Sequence, residues 1–375
     1  MMMNTPSTAT ATGTGHYRQR FAGQLAQAHF RQAQGLWLSS IGLGTYLGDP
    51  DERTDAAYQQ AVKRALALGC NVIDTAANYR FQRSERSIGQ ALAEVLAAGQ
   101  FNREEMFITT KGGFVPFDSV PPQGQAGFRQ YLEDTFVQPG ICNWEDFVQG
   151  QHCMTPGYLA HQLDQSLRNL QLKAVDVYYL HNPESQFAEV RGDAFYARLR
   201  AAFEFLESAV AAGKIALYGT ATWNGYRVAS NSSELLSLER VVQTAREVAG
   251  ERHHFKVVQL PINLAMLEAF TNVNQTIAGQ HVTFLEAAAE LGVTVMASGS
   301  LLQSRLATSL PPIIAATFDG LQTDAQRALQ FVRSTPGGTT ALVGMSNITH
   351  VEENLAVAKL PPTLTTKYLE LFSSN

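Results

Sequence analysis

The chain has 375 residues, 45% hydrophobic and 16% charged, enough apolar material for one large core. A formal charge of -5, a pI near 6.0 and the lack of any basic run argue against a nucleic-acid-binding surface. No apolar stretch is long enough to span a bilayer, so no membrane partner is expected. Residues 1–15 are rich in Thr, Ser and Ala and lack the apolar core of a signal peptide. Three cysteines, Cys70, Cys142 and Cys153, are an odd number that fits a reducing compartment, and a cytoplasmic protein is expected.

In chain order, residues 1–35 read as a flexible N-terminal extension; Gly23–Gln34 has only a weak apolar stripe for a helix. From Ile41 onward, short β-rich runs alternate with longer helical patterns. The expected strands are Ile41–Thr45, Asn71–Ala76, Met106–Lys111, Val175–His181, Ile215–Ala221, Lys256–Pro261, Val293–Ser298 and Thr339–Gly344. The expected helices are Asp55–Leu68, Ser84–Ala97, Pro156–Leu170, Tyr196–Ala212, Glu234–Ala249, Thr283–Leu291, Thr323–Arg333 and His350–Ala358. Gly69, Gly213, Gly250 and Gly292 stand at helix ends, where glycine supplies a left-handed cap. Eight strands alternating with eight helices is the count that closes a (β/α)8 TIM barrel. An open doubly wound sheet would more often show fewer strands and a G-x-G-x-x-G turn, which is absent. The expected fold is therefore α/β, a single barrel domain over residues 36–360. Residues 361–375 form a C-terminal tail whose Tyr368, Leu369 and Phe372 are available to pack on the barrel rim.

A long insertion, residues 112–155, follows the third strand. It carries Phe114, Phe117, Phe128, Tyr131, Phe136, Trp144 and Phe147, too many aromatics for a solvated linker. Leaving from the end of a strand, it belongs to the catalytic face and reads as a lid or pocket wall; an oligomer contact or a small satellite core is the alternative. Cys142, His152, Cys153 and His161 fit no zinc spacing, and no metal is expected.

Four polar residues stand at or just beyond strand ends: Asp74, Tyr79, Lys111 and His181. In a parallel barrel such side chains converge on one pocket. A phenol near pKa 10 exchanges protons poorly at neutral pH, and a neighbouring ammonium is expected to lower that value. Lys111 is the ammonium, Asp74 its anchor, and His181 a donor to a substrate carbonyl. Together they suit proton transfer to a carbonyl oxygen, or from an alcohol, while a hydride moves at carbon. Singly, each has an ordinary role: a cap, a half-buried aromatic, a solvated strand end, a loop hydrogen bond.

The motifs "IGLGTY" (41–46), "GCNVIDTAANY" (69–79), "SERSIGQAL" (84–92), "FITTK" (107–111), "VDVYYLHNP" (175–183), "AGKIALYGTAT" (212–222), "VVQLPINL" (257–264) and "LVGMSNITHVEENL" (342–355) resemble the aldo-keto reductases, barrel oxidoreductases that use a nicotinamide, usually NADP. The resemblance runs from about Gly35 to Ala358 and implies that Asp74, Tyr79, Lys111 and His181 are the family's catalytic tetrad. It also implies cofactor contacts from Gly44, Thr45, Thr222, Gln259 (to the nicotinamide amide) and Ser298. The loop Gly299–Arg305, with Ser300, Leu301 and Arg305, would cover the pyrophosphate. Gly344, Ser346, His350, Glu353 and Asn354 would hold the adenosine end, with a helix N-terminus favouring phosphate.

Three departures bear on the cofactor. Gly219-Thr220-Ala221-Thr222 replaces the family's Gly-Val-Ser-Asn, leaving one hydroxyl where a Ser and an Asn are usual. Ser298 stands where the family stacks an aromatic ring on the nicotinamide, and His350 stands where the closest pattern has Gln. The resemblance implies NADP, but no Arg or Lys lies within "GMSNITHVEEN" to grip a 2′-phosphate, so NAD stays possible. The leading expectation is an NAD(P)-dependent enzyme acting on a small carbonyl or alcohol. A nicotinamide-binding regulatory subunit with little turnover is the alternative. A barrel hydrolase or isomerase would need a metal cluster or carboxylate pair at the strand ends, and neither is present in the sequence.

Overall fold

Residues 6–118 and 120–372 are described by a computed structural model. Eight parallel strands follow one another around a closed barrel: β1 (Ile41–Gly44), β2 (Val72–Asp74), β3 (Phe107–Gly112), β4 (Val175–His181), β5 (Ile215–Ala221), β6 (Phe255–Pro261), β7 (Thr294–Ser298) and β8 (Gly338–Gly344). β8 returns to β1 with Ala341 opposite Ile41 and Gly344 opposite Gly44, so no strand edge is left open. The helices are α1 (Glu52–Ala67), α2 (Arg83–Ala97), α3 (Pro156–Leu170), α4 (Gly192–Ala211), α5 (Leu238–Ala249), α6 (Phe284–Glu290), α7 (Asp324–Ser334) and α8 (Ile348–Leu355). This is the (β/α)8 barrel that the alternation predicts. Gly69, Gly213, Gly250 and Gly292 all take φ between +66° and +92°, the region that favours glycine, although Gly250, with ψ −159°, is not in the left-handed helical conformation. Asp51, Thr283 and Thr323 cap α1, α6 and α7 by accepting from backbone N–H groups.

The two-residue period of a strand sorts the core into two shells. Ile41, Leu43, Ile73, Ile108, Tyr178, Val258 and Val295 face outward and pack against the helices. Val72, Phe107, Val177, Tyr179, Val257, Met296 and Leu342 face inward and fill the barrel. The next residues of the same parity, toward the strand ends, are Asp74, Thr109, Lys111, His181, Gln259 and Ser298. Strand alternation therefore delivers the polar groups to one mouth.

The N-terminal extension is ordered from the first described residues onward, which corrects the expectation of flexibility; Met1–Thr5 lie outside the described residues. Ala11–Arg20 is a helix capped by Thr10, and Tyr17 is fully buried with its hydroxyl donating to Leu66 O at 2.6 Å. Its buried face is Gly13, Thr14 and Tyr17, hardly an apolar stripe. Gly13 lies against the Glu104 backbone, where a Cβ would be 2.4 Å from the carbonyl oxygen. Close approach, not amphipathicity, seats this helix.

Gly23–Gln34 forms no α-helix, only a 3-10 turn at Gln27–His29. Phe30–Ala33 pairs antiparallel with Leu36–Ser39 around Gln34 and Gly35, both at positive φ, as a type I′ hairpin demands. Leu38 of that hairpin joins the inward-facing shell and plugs the barrel floor.

The insertion forms a helix (Gly124–Leu132) running into a π-helical turn (Glu133–Val137). Leu132, Phe136, Cys142, Phe147, Cys153 and Tyr158 make a satellite core, with Phe117, Phe128, Tyr131 and Trp144 packed against it. Its aromatics thus serve mainly one another. In the tail, Thr365–Glu370 is helical and Tyr368 is buried on Phe331 of α7, ring centroids 5.0 Å apart.

Candidate active site

A cavity of about 480 Å³ opens at the C-terminal end of the strands. Asp74, Tyr79 and His181 line it, while Lys111 lies fully buried behind them. Lys111 Nζ donates to Asp74 Oδ2 at 2.7 Å and to Thr75 O at 2.7 Å. Asp74 Oδ1 accepts from Thr109 Oγ1 at 2.7 Å and from Gln259 Nε2 at 2.8 Å. Both carboxylate oxygens are thereby satisfied, and an ion pair in so dry a place is held by geometry. Lys111 Nζ sits 4.9 Å from the centre of the Tyr79 ring, a cation–π contact.

The ammonium does not pull the Tyr79 phenol downward, as expected from sequence. Burial pushes that pKa well above 10, with Asp74 and Tyr46 adding to the rise. The physical reason is that Lys111 is spent on Asp74 and Thr75, so the pair presents little net charge to the phenol. Tyr79 therefore rests as the neutral acid, the state that can donate a proton. Burial lowers the pKa of Lys111 and Asp74 opposes it. Burial, then Lys111 and His152, hold His181 well below 6.5, a neutral imidazole at physiological pH. Tyr79 and His181 meet edge to face, ring centroids 5.8 Å apart, with Tyr46 5.0 Å beyond Tyr79.

Of the residues expected at a cofactor, Gly44, Thr45, Thr222, Gln259, Ser298, Ser300, Leu301 and Gly344 line the same cavity. The Thr222 hydroxyl is buried there without a protein partner, a free polar group on the wall. Gln259 is not free in the same way, since its amide N–H is engaged by Asp74. Arg305, Ser346, His350, Glu353 and Asn354 do not line the cavity. Arg305 and His350 are exposed and Asn354 is buried, while Glu353 Oε1 accepts from Thr323 Oγ1 at 2.6 Å. Ser346 is half-buried beside the start of α8.

Sequence reasoning missed several wall residues, Tyr46, Leu47, Asn78, Asn182 and Trp223, while Phe114, named with the insertion, joins them on the wall. Tyr46 and Trp223 are 56% and 42% exposed, unusual for large aromatics unless something docks on them. Their position directly after β1 and β5 was the available signal. Trp223 is fixed by Glu184, whose Oε1 accepts from the N–H groups of Trp223 (2.7 Å), Asn224 (3.1 Å) and Gly225 (3.3 Å). Among the described residues there is no cluster of His, Cys, Asp or Glu able to hold a metal, and the three cysteines are free thiols. Among them, too, no helix is long and apolar enough to cross a membrane.

A barrel with this mouth defines a class, and comparison with known proteins gives it a family. The model of the aldo/keto reductase family matches residues 40–308. The 6-dehydroglucose reductase of Novosphingobium aromaticivorans is 25% identical over 344 residues, covering 88% of this chain and 90% of that protein. An aldo/keto reductase of Klebsiella pneumoniae, solved with NADP and acetate, superposes with a TM-score of 0.59 at 22% identity, over 93% of this chain and 96% of that one. The holo form of an aldo-keto reductase from Bacillus halodurans superposes with a TM-score of 0.61 at 18% identity, over 92% and 96%. The chain belongs to the aldo/keto reductase family and is an oxidoreductase.

Proposed function

We propose that the protein reduces an aldehyde or ketone with NADPH as hydride donor, Tyr79 delivering the proton, and that it does so in the cytoplasm. The observation that carries this reading is the buried Lys111–Asp74 pair set under the ring of a cavity-lining phenol, with a neutral imidazole beside it. A nicotinamide suits the wall: Thr222 offers an unpaired buried hydroxyl, and Gly44, Ser298 and Gly344 leave room for a flat ring. Bound there, it supplies the hydride.

The chain's own residues do the rest. His181, neutral, donates an N–H to the substrate oxygen and polarises the carbonyl. As hydride reaches carbon, the oxygen gains negative charge and becomes a far stronger base than the ground-state carbonyl. It then takes the Tyr79 proton despite the high resting pKa of that phenol. The phenolate left behind lies over the neutralised Lys111–Asp74 pair and is a strong base, so it is short-lived. Reprotonation of Tyr79 from solvent closes the cycle.

Keto and aldehydo sugars head the candidate substrates. The relative from Novosphingobium is named for 6-dehydroglucose, and Tyr46 and Trp223 offer flat apolar faces beside the amides of Asn78 and Asn182. NADP is favoured by the Klebsiella structure. NAD is the second reading, favoured by the absence of Lys or Arg from residues 344–354.

The test is a fluorescence titration with NADPH and with NADH, followed by turnover on a carbonyl panel. Tyr79→Phe should cut turnover about 10²- to 10⁴-fold with cofactor affinity preserved. Full turnover in that variant would remove Tyr79 as the acid, and binding of neither nucleotide would remove the enzyme reading altogether.

A further inference from the structure

His181 has a weakness as a donor: its Nδ1 is buried and has no hydrogen-bond partner, so no second residue fixes its ring in the usual way. Its direction rests on its main chain and on the rings beside it. The main-chain carbonyl of His181 is gripped by His152 Nε2 at 2.7 Å. His152 is 2% exposed and lies at the far end of the insertion.

Its tautomer follows from its neighbours. Arg198 Nη1 donates to Gln186 Oε1 at 2.6 Å, which turns the Gln186 amide N–H toward His152. That Nε2 donates to His152 Nδ1 at 2.8 Å, so the proton of His152 is on Nε2 and points at the His181 carbonyl. Burial keeps His152 neutral, its pKa lowered to about 4. Phe114 stands edge-on between the two imidazoles, 5.2 Å from His181 and 5.1 Å from His152. Gly113 makes the close approach possible: a Cβ there would lie 2.8 Å from His152 Nε2 and 3.0 Å from His181 O.

We propose that His152 is a positioning residue for the reaction: by holding the His181 main chain and backing Phe114, it aims the His181 ring at the substrate oxygen. This rests on the reading of His181 as the carbonyl donor. It gives the insertion a catalytic duty that its satellite core alone does not suggest. It also assigns a role to His152, which the sequence showed only as an irregular neighbour of Cys153. Both of its ring nitrogens are committed.

The experiment compares His152→Ala with His152→Gln, whose amide N–H can replace the Nε2 donor. With a carbonyl substrate, His152→Ala should lower kcat about 10- to 100-fold, leaving KM and nicotinamide affinity within about twofold, and His152→Gln should recover most of the loss. Histidine-ring NMR, with the His181 signals identified by their loss in His181→Gln, gives a readout independent of turnover. In His152→Ala those signals should broaden or split, and in His152→Gln they should return toward the parent. Unchanged His181 ring signals in His152→Ala would overturn the proposal whatever the activity. So would equal kcat losses in the Ala and Gln variants at matched thermal stability, which would mark His152 as packing alone. If the parent protein reduces no carbonyl, the reaction reading fails, and the ring signals still decide whether His152 orders His181.

Discussion

His29 lies under the barrel, and acidification should expose it. Its Nε2 bonds Gly69 O at 2.9 Å and its Nδ1 bonds Ser40 Oγ at 3.0 Å, while Arg333 Nε donates to that same Oγ at 3.0 Å. The Ser40 hydroxyl must therefore donate to Nδ1, and a proton arriving on Nδ1 would meet another donor, with a guanidinium just beyond. Burial first and Arg333 second lower the pKa from 6.5 to about 3. The unfolded chain binds this proton below pH 6.5 and the folded one does not, so stability is full above that value and falls as pH drops toward 3. The gap sets a ceiling of roughly 5 kcal/mol, of which about 2 kcal/mol is lost between pH 7 and pH 5.

His29→Gln keeps an N–H for Gly69 O and an acceptor for Ser40 but cannot ionise. Urea unfolding of both proteins at the two pH values isolates the term, because His152 and the other histidines are common to both. The variant should be less stable at pH 7 by about 1 kcal/mol, and its deficit should shrink or reverse by about 2 kcal/mol at pH 5. A deficit that stays constant would refute the reasoning.

Three further perturbations follow from single contacts. Lys111→Met leaves the Asp74 carboxylate buried without its cation, and unfolding should show a loss of about 3–5 kcal/mol, with turnover lost as well. Asp176 ties Ala9 N (2.6 Å), Ile108 N (2.7 Å) and Arg103 Nη2 (2.8 Å) together. Asp176→Ala should free the N-terminal segment, seen as faster limited proteolysis ahead of Ala11, and cost about 3–5 kcal/mol because Arg103 loses its counter-ion. Gly112→Ala places a Cβ 1.9 Å from the Tyr178 hydroxyl and 2.6 Å from Gln162 Oε1. The strand must shift, lowering thermal stability by about 1–3 kcal/mol and displacing Lys111 beside it; wild-type stability in that variant would contradict the packing described.

What the residues determined on their own was whatever repeats along the chain. The eight-fold alternation named the barrel, and Val175–His181 and Ile215–Ala221 begin and end as the apolar runs do. The same two-residue period put Asp74, Lys111 and His181 on inner faces near strand ends, so the polar mouth was legible before any contact was known. Tertiary structure decided what depends on partners distant in sequence. The N-terminal helix was hidden because Gly13 and Thr14, not a hydrophobic stripe, face the protein. The high pKa of Tyr79 comes first from its burial and then from Asp74, and the engagement of Gln259 depends on closure of a barrel that brings it 185 residues back to Asp74. His152 could be read from sequence only as an irregular neighbour of a cysteine. Its grip on His181 exists because the insertion folds on its own core and returns its last residues to the end of β4. Periodicity is a local property that sequence displays directly, whereas hydrogen bonding and burial belong to pairs that only the closed fold brings together.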